Sequence, residues 1–356
     1  MRRRRFLAAA GATTALATAG CSGILETTTQ STGRTPPLVE NRPDAVYVPS
    51  HVEGMEMVGM TESGRYRFSL SYSFPHRFWR TTSDRTSKVD IADSDTVHLM
   101  LTAWDGETET VIPTSSAVVS AAKDGSSVLS EKQLWSMLSQ NMGVHFGDNV
   151  ELDGDGTYDV SVDFGPVGTR LSGGLADLTT DRQSFSIELS FDQATLEEVS
   201  YDLLDDRKGE RDAVDPMEMG MRPSGRVPEP SALPGQLLDD GTSGDAEIVA
   251  TALDSVPAGV DGDGTYLAVS ARTPYNRYPL PFMSLSATLS RDGEAVFEGD
   301  LTDTIHPDIG YHYGTVVDGV QAGDTIDIAV AAPPQIARHE GYETAFLSMD
   351  AVSMTV

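Results

Sequence analysis

Histidine and methionine are the side chains of this 356-residue chain best suited to chemistry, and two of its seven histidines recur in one setting. Gly143-Val144-His145-Phe146-Gly147 leads into Gly156-Thr157-Tyr158 and an alternating stretch, and Gly310-Tyr311-His312-Tyr313-Gly314 leads into Gly323-Asp324-Thr325 and another. A duplicated module presenting a glycine-bracketed imidazole is the reading, and imidazole outside a hydrolase motif most often serves a metal. In Val97-His98-Leu99-Met100-Leu101, a period of two puts Val97, Leu99 and Leu101 on one face and His98 with Met100 on the other. A thioether beside an imidazole is half of a soft-metal site. Taken alone, that strand fits a hydrogen-bonded core histidine better.

Met137 and Met142 lie within eight residues of His145, in a stretch rich in loop formers where gap filling is a poor explanation for methionine. Further on, His306 precedes His312 by six residues, and His339 follows Pro333-Pro334 in an evident loop. These three nitrogens could form one site in the second half. His76, after Phe74-Pro75, could join the first set from another direction. Two Met clusters, Met55-Met57-Met60 and Met217-Met219-Met221, fit a copper-handling segment and an apolar patch packed on a neighbour equally well.

What is missing narrows the function. There is no His-Glu-x-x-His, no Gly-x-Ser-x-Gly, no phosphate loop, no dinucleotide fingerprint and no Cys-x-x-Cys. A non-enzymatic protein is expected. Asp153-Gly154-Asp155-Gly156 and Asp261-Gly262-Asp263-Gly264 lack the further ligands of a calcium loop and read as hairpin turns.

Residues 1–20 read as an address. Arg2 to Arg5 with Phe6-Leu7 supply a twin-arginine export signal, and the apolar run to Ala19 is too short to span a bilayer. Thr18-Ala19-Gly20-Cys21 resembles a lipoprotein cleavage site, with lipid expected on Cys21 and the protein on the outer face of the cell membrane. Cys21 is the only cysteine, so no intrachain disulfide is possible. Net charge is −29, and loss of the four arginines with the signal makes the mature part more acidic still. Such a surface repels nucleic acid and resembles the carboxylate-rich surfaces of extreme halophiles.

The elements that must position these residues are strands. Tyr66 to Phe74, Tyr158 to Phe164, Phe185 to Phe191 and Met283 to Leu289 all alternate apolar with polar. An all-β chain follows, with two immunoglobulin-like antiparallel sandwiches over 45–206 and 245–356. A flexible tether covers 21–44 and a Pro/Gly-rich linker 207–244. One helix is expected from the capping-box spacing at Thr195, running to Leu204.

Both halves resemble the extracytoplasmic immunoglobulin-like proteins that bind copper or iron and accompany high-affinity iron permeases. The likeness rests on His98-Leu99-Met100, where that family has His-Leu-Glu; on Met137 or Met142 ahead of His145-Phe146-Gly147; and on His312-Tyr313-Gly314 with Pro333-Pro334 leading to His339. Tyr266-Leu267-Ala268 stands where the second half would carry His-Leu-Glu, and His306 stands near the family's methionine. The resemblance implies a haloarchaeal-type lipoprotein that holds copper and/or iron and supports iron uptake. Its implied partners are an iron permease or other membrane metal transporter, with a homodimer possible. The ligands expected are His98, His145 and Met142 or Met137 in the first module, with Met100 and His76 weaker members, and His306, His312 and His339 in the second. The competing readings are a surface structural or adhesion module without metal, and a redox enzyme acting on bound metal.

Overall fold

The computed structural model describes residues 35–218 and 220–356. The export signal, the lipidation candidate Cys21 and Met219 lie outside the described residues. The expected alternation is realised throughout as antiparallel strands. In the first module Glu56–Ser63, Tyr66–Ser73, Val97–Asp105 and Gly143–Val150 pair in that order with the C-terminal part of a long strand, Ser126–Ser139. The N-terminal part of that long strand turns into the opposing sheet, pairing with Ala117–Lys123, then Gly156–Phe164, then Gln183–Phe191. A strand shared by two sheets closes the sandwich along one side, and Ile187 against Gly59 closes the other. The inward residues pack as expected of a period-two pattern, with Phe68 against Phe185 at 4.3 Å and Phe164 at 5.4 Å between ring centres.

The second module repeats the plan. Thr302–His306, Gly310–Val317, Thr265–Arg272, Ala246–Leu253 and Gln236–Ser243 form one sheet, and Glu294–Asp300, Ser284–Arg291, Thr325–Ala332 and Val352–Thr355 the other. Gln236–Ser243 falls inside the stretch read as linker; its mixed sequence hides a strand whose partner, Ala246–Leu253, follows a two-residue turn. One continuous cluster of buried apolar residues runs through both modules.

Two local expectations change. The helix covers only Gln193–Glu198, because Asp192 rather than Thr195 caps it, accepting from the Ala194 and Thr195 amides; Tyr201–Leu203 is a short strand. The loop expected around Met137 to His145 is a tight turn between two strands, Ser126–Ser139 and Gly143–Val150.

The modules also exchange segments. Ala337–Arg338, from the second module, pairs parallel with Met137 and Leu138 and antiparallel with Trp79. Reciprocally, Arg170–Leu171 of the first module pairs parallel with Thr304 and Ile305. Each module thereby adds a short strand to the edge of the other's sheet. Among the described residues no helix is long and apolar enough to cross a membrane.

Candidate metal centre

The register explains why the candidate ligands converge. His145 stands directly across from Met137, Gly147 across from Met100, and Asn149 across from His98. Cross-strand partners share a face, so Met137, His145, Met100 and His98 line one patch of the sheet. That patch is the outer face, turned away from the sandwich core. The loop carrying His76 and the exchanged segment carrying His339 cover it. Phe78, Met137 and Ala337 form a small buried apolar cluster beside it.

The imidazoles are close. His76 and His98 have ring centres 4.1 Å apart; His339 lies 4.9 Å from His76, 5.4 Å from His98 and 5.3 Å from His145. One ring nitrogen each from His76, His98 and His339 falls within 4.8 Å of the others, as a shared cation requires. Gly147 marks the remaining space: a Cβ added there would sit 2.7 Å from His98 Nε2 and 3.2 Å from Met137 Sδ. Nitrogen and sulfur therefore border one small volume that only glycine leaves open. Met100 and Met142 are buried and line the cleft leading to it, with Met55, His51 and Glu53.

The tautomers are set by the Nδ1 partners. His98 Nδ1 donates to Asn149 Oδ1 at 2.8 Å, and the Asn149 amide is oriented by its own bond to the His76 carbonyl at 3.0 Å. His145 Nδ1 donates to the Gly143 carbonyl at 3.1 Å, and His76 Nδ1 faces Glu53 Oε2 at 3.3 Å. With Nδ1 protonated, each Nε2 presents its lone pair. The Nε2 atoms of His76, His98, His145 and His339 are buried and have no hydrogen-bond partner. Burial pushes the His98 and His339 imidazoles well below their ordinary range and His145 down to about 3, so these three rings are neutral at pH 7.

Three supporting residues escaped the sequence reading. Asn149 ties His98 to the His76 loop; its signal was the four-residue spacing from His145, which on a strand means the same face. Glu53 accepts from His51 at 3.1 Å and from Ser73 at 3.0 Å as well as contacting His76. Burial opposes its ionisation, yet the bonds to His51 and His76 hold the carboxyl down at about 2. Arg338 is fully buried, donating to the carbonyls of Pro334 at 2.9 Å and of Ala345, which shapes the loop that presents His339. The neighbours of two candidate ligands, Arg77 and Glu340, approach to 3.7 Å and bridge the two covering loops.

The second-module set does not assemble. His339 joins the first-module histidines, because the segment exchange carries it across. His312 keeps the same local geometry as His145, its Nδ1 on the Gly310 carbonyl at 3.0 Å, but its Nε2 meets the Tyr266 hydroxyl at 2.9 Å. His306 lies against Gly173 and accepts from the Asp308 amide at 3.1 Å. Of the two Met clusters, Met57, Met60 and Met221 are exposed.

A family model described as a domain of unknown function (DUF7350) matches residues 231–355. No curated protein matches the chain. Among solved structures, the chain is similar to FetP of uropathogenic E. coli strain F11, at 16% identity and a TM-score of 0.30 over 40% of this chain and 96% of that one. A copper-bound variant of FetP gives 18% identity and 0.31 over 38% and 97%. Copper-reconstituted P19 from Campylobacter jejuni gives 12% and 0.29 over 39% and 96%.

Proposed function

We propose that this chain is an extracytoplasmic metal-binding protein that holds a single copper ion between its two modules. The observation that carries the reading is the set of four buried, unpartnered Nε2 atoms on His76, His98, His145 and His339. Each such atom without a bond costs about 1–3 kcal/mol, so a cluster of them is retained only where a ligand satisfies it. His76, His98 and His339 would hold the ion with Met137 on the fourth side, and His145 would complete or exchange within the set. Neutral imidazoles with a thioether, and a carboxylate only behind His76, suit copper, Cu(I) above all, better than ferrous iron. Bound copper supplies a redox-active, soft cation; the protein supplies fixed lone pairs and a dry enclosure.

Export by the twin-arginine signal and anchoring through lipid on Cys21 complete the proposal, with the protein supporting iron uptake beside a membrane permease. That last role is supported only by the family resemblance of the His98, His145 and His339 motifs. The test is metal content per chain after anaerobic loading with Cu(I) or Fe(II) and exhaustive dialysis. One equivalent of copper, lost in His98→Ala and in His339→Ala, is expected. No retained metal would leave a structural surface module.

A further inference from the structure

We infer that the second module carries a closed copy of the metal centre, and that Tyr266 is the residue that keeps cations out of it. The inference rests on the metal reading of the first copy. The two modules correspond strand by strand through their registers. Met137 pairs with His145, and Thr304 with His312; His98 pairs four residues beyond His145, at Asn149, and Tyr266 four residues beyond His312, at Val316. The exchanged segments match as well. Ala337 lies opposite Met137 as Arg170 lies opposite Thr304. The His339 amide donates to the Leu138 carbonyl at 3.0 Å, and the Ser172 amide to the Ile305 carbonyl at 3.0 Å.

Position by position, then, His98 becomes Tyr266, Met137 becomes Thr304, His339 becomes Ser172, and only His145 keeps its imidazole, as His312. Three soft or nitrogen donors have been replaced by hydroxyls, and Ala337 by an arginine. The space is the same and is filled differently. A Cβ on Gly314, the counterpart of Gly147, would meet the Tyr266 hydroxyl where the first copy has His98 Nε2. That hydroxyl donates to His312 Nε2, so the lone pair that would bind a metal is satisfied internally. Arg170 sets its fixed positive charge beside Tyr266 and His312. A neutral alcohol does not compete for copper with imidazole and thioether, and a neighbouring guanidinium repels it.

The copy is therefore latent, and four substitutions copied from the first module should open it: Tyr266→His, Thr304→Met, Ser172→His and Arg170→Ala. The experiment counts Cu(I) per full-length mature chain by mass spectrometry and by competition with a chromophoric chelator. One equivalent in the wild type and two in the fourfold variant is the expected result. One equivalent in both, with the variant folded by near-ultraviolet circular dichroism, overturns the inference and leaves the first site standing. Two in the wild type overturns the closure alone, and none in the wild type overturns both readings. If the fourfold variant does not fold, Tyr266→His with Arg170→Ala is the second probe. It should bind a second equivalent at least about tenfold more weakly than the first, and no second equivalent there also overturns the inference.

Discussion

At the scale of single residues, space and tautomer decide the site. Gly147→Ala would push a methyl into the volume shared by His98 Nε2 and Met137 Sδ and to 3.3 Å from the Leu99 carbonyl of the next strand. Copper should be lost, by chelator competition, and overpacking should cost the metal-free protein about 1–3 kcal/mol in urea titration. Glu53→Gln removes the charge that fixes His76, and loss of such a partner typically lowers metal affinity by about 10- to 100-fold. Glu53→Asp should recover part of it. The buried imidazoles also predict how the metal-free protein responds to acid. Burial holds His145 at about 3 and His312 at about 4, against 6.5 when exposed. Between pH 6.5 and 4 the unfolded chain takes up these protons and the folded chain does not. The stability they leave intact above pH 6.5 is thus lost as pH falls, by about 1.4 kcal/mol per pH unit for each ring. The urea midpoint should drop between pH 7 and pH 5, and a His145→Asn, His312→Asn variant should flatten that drop.

At the scale of elements, period-two alternation made Tyr66–Ser73, Val97–Asp105, Gly156–Phe164, Gln183–Phe191, Ser284–Arg291 and Thr325–Ala332 legible in the sequence, including the face shared by His98 and Met100. What escaped was short or disguised. The turn Gln140-Asn141-Met142 is polar enough that the ends of two flanking strands read as loop. Ala337–Arg338 is too short to leave any pattern, so nothing in the sequence said that it would pair with Met137 and Leu138 two hundred residues upstream. The grouping of His98, His145 and His76 with the methionines was expected; that His339 would leave the second-module set and join them was not, because that depends on this pairing. Arg338 is what makes so short an element hold. Arg338→Met would strip its partners from the Pro334 and Ala345 carbonyls, at about 3 kcal/mol for charge-assisted bonds left unmade. Copper affinity should fall with it through misplacement of His339, whereas a substitution at exposed Arg85 should change neither.

At the scale of the whole molecule, each module lends a short strand to the edge of the other's sheet, a reciprocal exchange within one chain of the kind a two-fold dimer makes between two. A monomer in solution is expected, and light scattering in high salt would check it. Because the proposed ligands come from both modules, copper should stabilise them together, by about 2.7 kcal/mol at a free concentration a hundredfold above the dissociation constant. Calorimetry should show the holo protein unfolding at a higher temperature in one transition, and His339→Ala should abolish the shift. The split origin of that ligand set also has a consequence for assembly. His76, His98 and His145 are in place once the first sandwich closes, whereas His339 arrives only with the exchanged segment of the second module. A chain cut between the modules would offer copper only an incomplete site, so tight metal capture would report that both halves have docked.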